Sequence, residues 1–263
     1  MVTIDDEELK YWIWLTQIPK VGLVSRNELL RIYESPREIY HGTFAELEEA
    51  GERKLKPAQL ESILASRSLI QAEATLAECR RFGIRILTRE HPIIRKTFAL
   101  QNETPTLLYA KGKLEKIGST VGIVGARRCT QETKLFTRDL ALNYVKQGTV
   151  IISGMAKGVD AYAQTACVNA GGITVAVLGC GVDICYPAEH RALMDRIMET
   201  GLVLSEYPPG TLPARYHFPK RNRLIAALSD KLMVISAGRG SGAMITADVA
   251  EKMGKIVEYK VSG

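Results

Sequence analysis

The 263-residue sequence lacks any apolar run long enough to cross a membrane. Its longest such runs, for example ITVAVLGC from Ile173, are far shorter than the ~20 residues that a transmembrane helix needs. The first ten residues, MVTIDDEELK, are acidic, and a signal peptide would begin with a basic segment. We therefore expect a cytoplasmic protein that has no membrane partner.

Cysteine is also sparse: the chain has five, an odd number, and none of their spacings gives the CxxC pair of a zinc site. This pattern favours small, reduced, buried thiols and no metal. The alternative is a redox or metal role for Cys180 and Cys185.

The common nucleotide-binding motifs are missing. The stretch GIVGARRCT contains Gly122-x-x-Gly125 where a dinucleotide site has G-x-G-x-x-G, and arginines stand where a pyrophosphate needs space. There is no G-x-x-x-x-G-K-[ST] loop either. We expect neither a dinucleotide cofactor nor a nucleoside triphosphatase.

Basic residues are in excess, with 35 Lys and Arg against 29 Asp and Glu, for a formal charge of +6. A basic balance favours polyanionic partners, although many proteins of this charge bind none. The charge therefore has to be interpreted together with the positions of the cations.

The N-terminal quarter predicts a small helical domain, residues 1–68. Four segments carry apolar residues at helical spacing, namely EELKYWIWLTQI, RNELLRIYE, FAELEEAG and PAQLESILAS. Between the first two, IPKVG (Ile18 to Gly22) is similar to the turn of a helix-hairpin-helix, whose backbone N–H groups can meet a DNA phosphate. An ordinary turn between packed helices explains the same residues.

From residue 69 to residue 263, helical segments alternate with short apolar strands. The predicted strands are IRILT, TLLYA, TVGIVG, TVIISG, ITVAVLG, GLVLSE, KLMVISAG and KIVEYKV. Continuous apolar strands between helices indicate burial on both faces of a parallel sheet. The predicted fold is therefore α/β: a Rossmann-like, doubly wound, mostly parallel sheet that follows the helical domain.

Ligands of such sheets bind beyond the carboxyl ends of the strands. The turns there combine glycine, which lets an anion approach the backbone, with cations that attract it. The residues concerned are Gly125, Ala126, Arg127 and Arg128 after one strand, and Ser153, Gly154, Lys157 and Gly158 after another. The alternative is that the glycines only permit tight turns.

A basic tetrad, Lys220-Arg221-Asn222-Arg223, follows a Pro-rich segment and is predicted to open a helix. Cations at a helix start oppose the helix dipole unless an anion meets them. A solvated basic turn is the alternative. The adjoining Tyr216, His217 and Phe218 can stack on bases or serve in packing.

Several of these stretches together resemble the DNA-processing protein A family, also called Smf. They are VGIVGARRCT, IISGMAKGVDAYAQTA, TVAVLGCGVDICYPAEHRAL, GLVLSEYPPG, FPKRNRLIAALSD and SGAMITADVAEKMGKIVEYKVSG. The resemblance runs from about Thr120 to the end, and the helical segment with IPKVG is also similar to that family's small helical domain.

The resemblance implies a protein that binds and protects incoming single-stranded DNA in natural transformation, helps to load the RecA recombinase, forms a homodimer and has no established catalytic activity. The family's Gly-Ser-Arg turn corresponds to Gly125, Ala126 and Arg127. Its second glycine turn corresponds to Ser153, Gly154, Ala156, Lys157 and Gly158, and its Arg-Asn-Arg element to Arg221, Asn222 and Arg223. Ala126 departs from the usual serine, and Arg128 is expected to compensate.

Two further expectations follow. Arg127, Lys157, Arg221 and Arg223 should largely form one basic pocket, with Arg223 the member most suited to pair instead with Asp183 or Glu206. Met244, Ile245 and Met253 are candidates for a dimer surface, and the alternative is the core, where such residues are more often found.

The alternative function is nucleotide binding or cleavage by a phosphoribohydrolase-like protein. The hallmark of those enzymes is a Pro-Gly-Gly-x-Gly-Thr loop followed closely by a glutamate. Here the loop reads SAGRGSGAMITADVA, and no glutamate follows before Glu251. Without that carboxylate we expect no catalysis.

Overall fold

The computed structural model describes residues 5–51, 55–114 and 117–260. The chain forms two compact units, Met1–Leu108 and Tyr109–Gly263. This division falls after the predicted boundary at 68/69, because the helix that follows that boundary packs against the first helix of the bundle. The predicted functional domains 1–68 and 69–263 stay a prediction. No helix within the described ranges is both long and apolar enough to cross a membrane.

The first unit is mainly helical over its described residues. Its helices are α1 (Asp6–Gln17), α2 (Leu23–Ile32), α3 (Pro36–His41), α4 (Phe44–Gly51), α5 (Pro57–Ala65), α6 (Ile70–Arg81) and α7 (Pro92–Arg95), and β1 (Arg85–Thr88) and a 3-10 helix (Lys96–Glu103) complete it. The four predicted amphipathic segments coincide with α1, α2, α4 and α5. Helix α3 was not predicted, although Ser35 before Pro36 is a start signal: its hydroxyl accepts a hydrogen bond from the Glu38 N–H.

The IPKVG turn joins α1 to α2 and is held by side chains of α5. The Gln59 amide donates to the Lys20 carbonyl at 3.0 Å, and the Ser62 hydroxyl donates to the Pro19 carbonyl at 2.6 Å. These contacts show that the segment is a turn packed against α5. Its phosphate contact stays a prediction.

The sheet has eight strands in the order β1-β2-β6-β5-β4-β3-β7-β8. The strands after β1 are β2 (Leu107–Gly112), β3 (Thr120–Gly125), β4 (Val150–Ser153), β5 (Thr174–Val177), β6 (Leu202–Ser205), β7 (Lys231–Ile235) and β8 (Ile256–Lys260). The remaining helices are α8 (Gln131–Lys146), α9 (Val159–Asn169), α10 (Arg191–Thr200), α11 (His217–Leu228) and α12 (Gly242–Lys252).

The predicted fold class is confirmed. All eight predicted strands are present, and the pairs from β3 to β8 are parallel, whereas β2 runs antiparallel to β6. Strands β4, β5 and β6 are buried along their whole length, as continuous apolar runs indicate. Strand β8 differs, since it lies at the edge of the sheet with one neighbour and is partly exposed.

The strand order reverses between β3 and β7. From β3 the chain proceeds outward through β4, β5 and β6 on one side, and β7 and β8 lie on the other. Strands β3 and β7 pair in register, with Gly125 opposite Ile235 at their carboxyl ends. In a doubly wound sheet this reversal opens a crevice for ligands.

At that crevice Ile235 and Val159 lie so close to the backbone of β3 that residue 125 has to be glycine. A Cβ atom there would collide with the Ile235 carbonyl oxygen and would lie 2.8 Å from a Val159 methyl carbon. We expect Gly125→Ala to lower the free energy of unfolding by about 1–3 kcal/mol, because backbone and core would have to move. Gly238→Ala is the control, since nothing lies within 4 Å of the Cβ it would add. Equal melting temperatures for the two variants would contradict this account.

Candidate nucleic-acid interface

A cleft of about 920 Å³ lies at the carboxyl ends of β3 and β7, and we call it the switch-point cleft. The turn after β3, the turn after β7 and the first half of α11 form its walls. The charged and aromatic residues that line it are Arg127, Arg128, Asp160, Tyr186, Arg215, Phe218 and Arg221. Four cations and one carboxylate among the described lining residues make this a site suited to an anion.

The turn after β3 is fixed at both sides by backbone hydrogen bonds. The Ala126 N–H donates to the Ile235 carbonyl and the Val159 N–H donates to the Ala126 carbonyl, both at 3.0 Å. Arg127 and Arg128 are exposed at its tip. Helix α8 starts only at Gln131, capped by the Thr130 hydroxyl, so both arginines belong to the turn and not to the helix.

The turn after β4 contains one exposed cation, Lys157, next to the buried residues Ser153 and Gly154. Ser153 is fully buried and its hydroxyl donates to the Ile123 carbonyl at 2.6 Å, so the structure turns it toward β3 and away from solvent. Gly158 has a φ of +82° and starts α9 without a side-chain cap. Lys157 is exposed and lies 2.8 Å from Glu189. Such a surface pair contributes about 0–1 kcal/mol, so Lys157 can exchange partners at little cost.

Gly154 leaves room for a buried arginine. A Cβ atom at Gly154 would lie 2.6 Å from both terminal nitrogens of Arg221. The Arg221 guanidinium donates to the Gly154 carbonyl at 2.8 Å, to the Val177 carbonyl, and through Nε to the Asn222 side chain at 3.0 Å. Arg221 is only 6% exposed and therefore forms the floor of the cleft.

Asp160 is the buried counter-charge to this arginine. Burial raises the pKa of its carboxyl, while Arg221 and the Gly154 and Ala156 N–H groups oppose that shift. Burial lowers the pKa of Arg221, and Asp160 opposes the change. Because a guanidinium stays protonated in proteins, Arg221 supplies a fixed positive charge beneath the cleft.

Helix α11 begins at His217, three residues earlier than predicted. Pro219 falls in the first turn, where helix N–H groups have no partner within the helix, so it does not delay the start. The tetrad 220–223 is therefore inside the helix. Lys220 alone is exposed, with its ammonium 5.8 Å from the centre of the Tyr216 ring.

The other two tetrad members point to different neighbours. The Asn222 amide donates to the Gly242 carbonyl at the start of α12, at 2.9 Å. Arg223 is buried and its guanidinium donates to both carboxylate oxygens of Glu206. The pairing that the sequence offered as an alternative for Arg223 is thus the one observed.

The predicted basic pocket forms for three of its four cations. Arg127, Lys157 and Arg221 line one small cavity of about 110 Å³ beside the switch-point cleft. Arg223 does not line it, because Glu206 holds its guanidinium elsewhere. Arg223 is the member for which the sequence analysis offered pairing with Glu206 as the alternative, and its contact with DNA stays a prediction.

Two aromatic rings complete the cleft. Tyr186 and Phe218 stack with their centroids 5.5 Å apart, and Tyr186 is 46% exposed. Sequence reasoning missed Tyr186 and Arg215. Tyr186 belongs to the loop after β5, in which no DNA-binding residue was predicted.

Two buried cysteines, Cys180 after β5 and Cys167 in α9, have raised pKa values. Burial raises the pKa of Cys180 to about 11 and that of Cys167 to about 12. Since the thiolate is the nucleophile and metal ligand, neither cysteine is activated at neutral pH.

Known proteins are similar to this chain over much of its length. The family described as DNA recombination-mediator protein A matches residues 85–261. Protein Smf of Synechocystis sp. (strain ATCC 27184 / PCC 6803 / Kazusa) is 34% identical over 96% of this chain and 64% of its own length. DNA processing protein DprA of Streptococcus pneumoniae (strain ATCC BAA-255 / R6) is 39% identical over 59% of this chain and 55% of its own. The chain thus spans less than two thirds of these relatives.

Solved structures extend the similarity to the fold. The X-ray structure of DNA processing protein A from Streptococcus pneumoniae superposes with a TM-score of 0.79 at 27% identity, covering 97% of this chain and 87% of that one. A structure of the Helicobacter pylori protein, described for its single-stranded DNA binding mode, gives 0.61 at 34% identity over 67% of this chain and 80% of that one. The chain belongs to the DNA recombination-mediator protein A family.

Proposed function

We propose that the chain binds single-stranded DNA in the switch-point cleft, protects the incoming strand and assists RecA loading during natural transformation in the cytoplasm. The observation that carries the proposal is the group of exposed cations, Arg127, Arg128, Lys157 and Arg215, around the buried Arg221. The single-stranded DNA binding described for the similar Helicobacter pylori protein supports it.

Single-stranded DNA suits the cleft better than a duplex. Unpaired bases expose faces that stack on aromatic rings, whereas bases in a duplex are already stacked. The exposed ring of Tyr186 and the adjoining Phe218 lie in the same cleft as the cations that would hold phosphates. A strand would therefore meet charge along its backbone and rings at its bases.

The candidate residues divide into three groups under this proposal. The exposed Arg127, Arg128, Lys157 and Lys220 attract phosphates directly. Gly125 and Ala126 keep the backbone accessible. The buried residues Ser153, Gly154, Asn222 and Arg223, together with the half-buried Gly158, position the surrounding backbone, and the buried Arg221 adds a fixed positive charge beneath the cleft.

Arg127→Ala tests the phosphate role. Because the arginine would contact backbone and not bases, binding should weaken for all single-stranded sequences alike, and the slope of log K against log salt should become shallower by about 0.7. The melting temperature should barely change, since the side chain is exposed. Titration of oligonucleotides over a salt series measures both effects.

Lys146→Ala is the matched control for that variant. Lys146 is an exposed cation in the last turn of α8 and lines none of the clefts described for this unit. It should leave affinity and salt slope unchanged. Intact DNA binding by Arg127→Ala together with a lower melting temperature would mean that Arg127 is structural, and the site would then depend on Lys157 and Lys220.

The proposed homodimer uses the last helix and strand. Ile245 of α12 is exposed, Met244 and Met253 are half-buried, and Ile256 and Tyr259 stand exposed on the edge strand β8. An exposed apolar edge strand is a surface that a second copy can cover. Light scattering should give twice the 29.0 kDa chain mass, and Ile256→Arg should reduce it to the single mass. A monomer for the parent protein at high concentration would contradict the dimer.

We further propose that the site has no hydrolytic activity. Among the described residues that line the switch-point cleft, Asp160 is the carboxylate. It accepts a hydrogen bond from the Gly154 N–H at 3.1 Å and interacts with Arg221, so its role is structural. Incubation with nucleoside monophosphates should release no free base. Base release that Asp160→Asn abolishes would instead support a phosphoribohydrolase-like enzyme.

A further inference from the structure

A second cleft, of about 750 Å³, adjoins the switch-point cleft, and we call it the α9 cleft. Its walls come from α8, the exposed side of α9, and the segment around the start of α10. Five cations line it with one carboxylate: Arg127, Arg128, Lys134, Lys157 and Arg196 with Glu189. Among the described lining residues, the excess of cations over carboxylates is therefore slightly larger than in the switch-point cleft.

The two clefts share the turn that bears Arg127 and Arg128. Each alone has the size of a small-molecule site, about 300–1,000 Å³. A mononucleotide would thus occupy one of them. A phosphate polymer that lies in the switch-point cleft can pass the two arginines and continue into the α9 cleft.

Lys134 and Tyr162 give the α9 cleft side chains that can bind a nucleotide. The Lys134 ammonium lies 5.5 Å from the centre of the Tyr162 ring, and the ring is 38% exposed. Tyr162 lies one turn into α9 and Lys134 in the first turn of α8, so two separate elements bring cation and ring together. The ammonium lies over one face of the ring, and a cation next to a partly exposed aromatic ring is what single-strand binding proteins offer to a phosphate and its base.

Arg196 adds a cation of fixed position to the far wall. Its guanidinium donates to the Asn169 side-chain oxygen and, at 3.1 Å, to the Val168 carbonyl. These two bonds leave further guanidinium N–H groups for an anion. Held in place at the end of α9, the side chain loses little freedom when a phosphate binds.

We infer that the α9 cleft is a second DNA subsite, in which Lys134 binds a phosphate and Tyr162 stacks on a base of the strand that leaves the switch-point cleft. This inference rests on the proposed function and extends its footprint. It requires that short oligonucleotides use the first cleft only and that longer ones use both.

Binding of oligodeoxythymidines of about four and about sixteen nucleotides, the range that single-strand sites span, tests this subsite. Tyr162→Ala should weaken binding of the longer strand about fivefold or more and leave the shorter unchanged, because only the longer strand reaches the ring. Tyr162→Phe should restore the affinity. Lys134→Ala should make the salt slope shallower by about 0.7 for the longer strand alone.

Lys146→Ala, at the other end of the same helix, is the control for lost charge. Unchanged binding of the longer strand by both Tyr162→Ala and Lys134→Ala would overturn the second subsite while the proposed function stands. Equal weakening at both lengths would also overturn it. If the parent protein binds neither strand, the proposed function itself is refuted, and the subsite with it.

Discussion

The buried guanidinium of Arg221 connects the parts of the site. From α11 it reaches the carbonyls of Gly154 and Val177, which lie at the ends of β4 and β5. A charge can be buried only when acceptors and an opposite charge compensate its lost hydration, and here those are the carbonyls and Asp160. The position of α11 against the sheet edge, and so the depth of the cleft, depends on this arrangement.

The site consequently has an inner and an outer layer. The inner polar groups, those of Ser153, Arg221, Asn222 and Arg223, find their hydrogen-bond partners within the protein. The outer cations Arg127, Arg128 and Lys220 are exposed. A rigid inner layer keeps the outer charges near the positions that an anion needs, and this lowers the ordering cost of binding.

Backbone strain is concentrated at the same edge of the sheet. Met155 after β4 has a φ of +54°, and Ser236 after β7 has a φ of +51°. For non-glycine residues such conformations cost about 1–3 kcal/mol each. The Met155 carbonyl meets His190 Nδ1 at 2.9 Å, and the Ser236 N–H donates to the Lys260 carbonyl at 2.7 Å, so surrounding bonds maintain both turns.

By itself the sequence determined the strands and the edge at which the site lies. Each strand is apolar over several consecutive residues, which is a local signal in the sequence. Because parallel strands bring their carboxyl ends to one edge of the sheet, the sequence alone predicted that Arg127 and Lys157 lie at the same edge. The tertiary structure decided which polar groups face solvent. The residues next to Arg223 in the sequence do not reveal whether its side chain is exposed or paired. Only the fold brings Glu206 close to it. Tyr186 likewise joined the site only when the loop after β5 met Phe218 of α11, because a contact between distant segments leaves no periodic pattern in either.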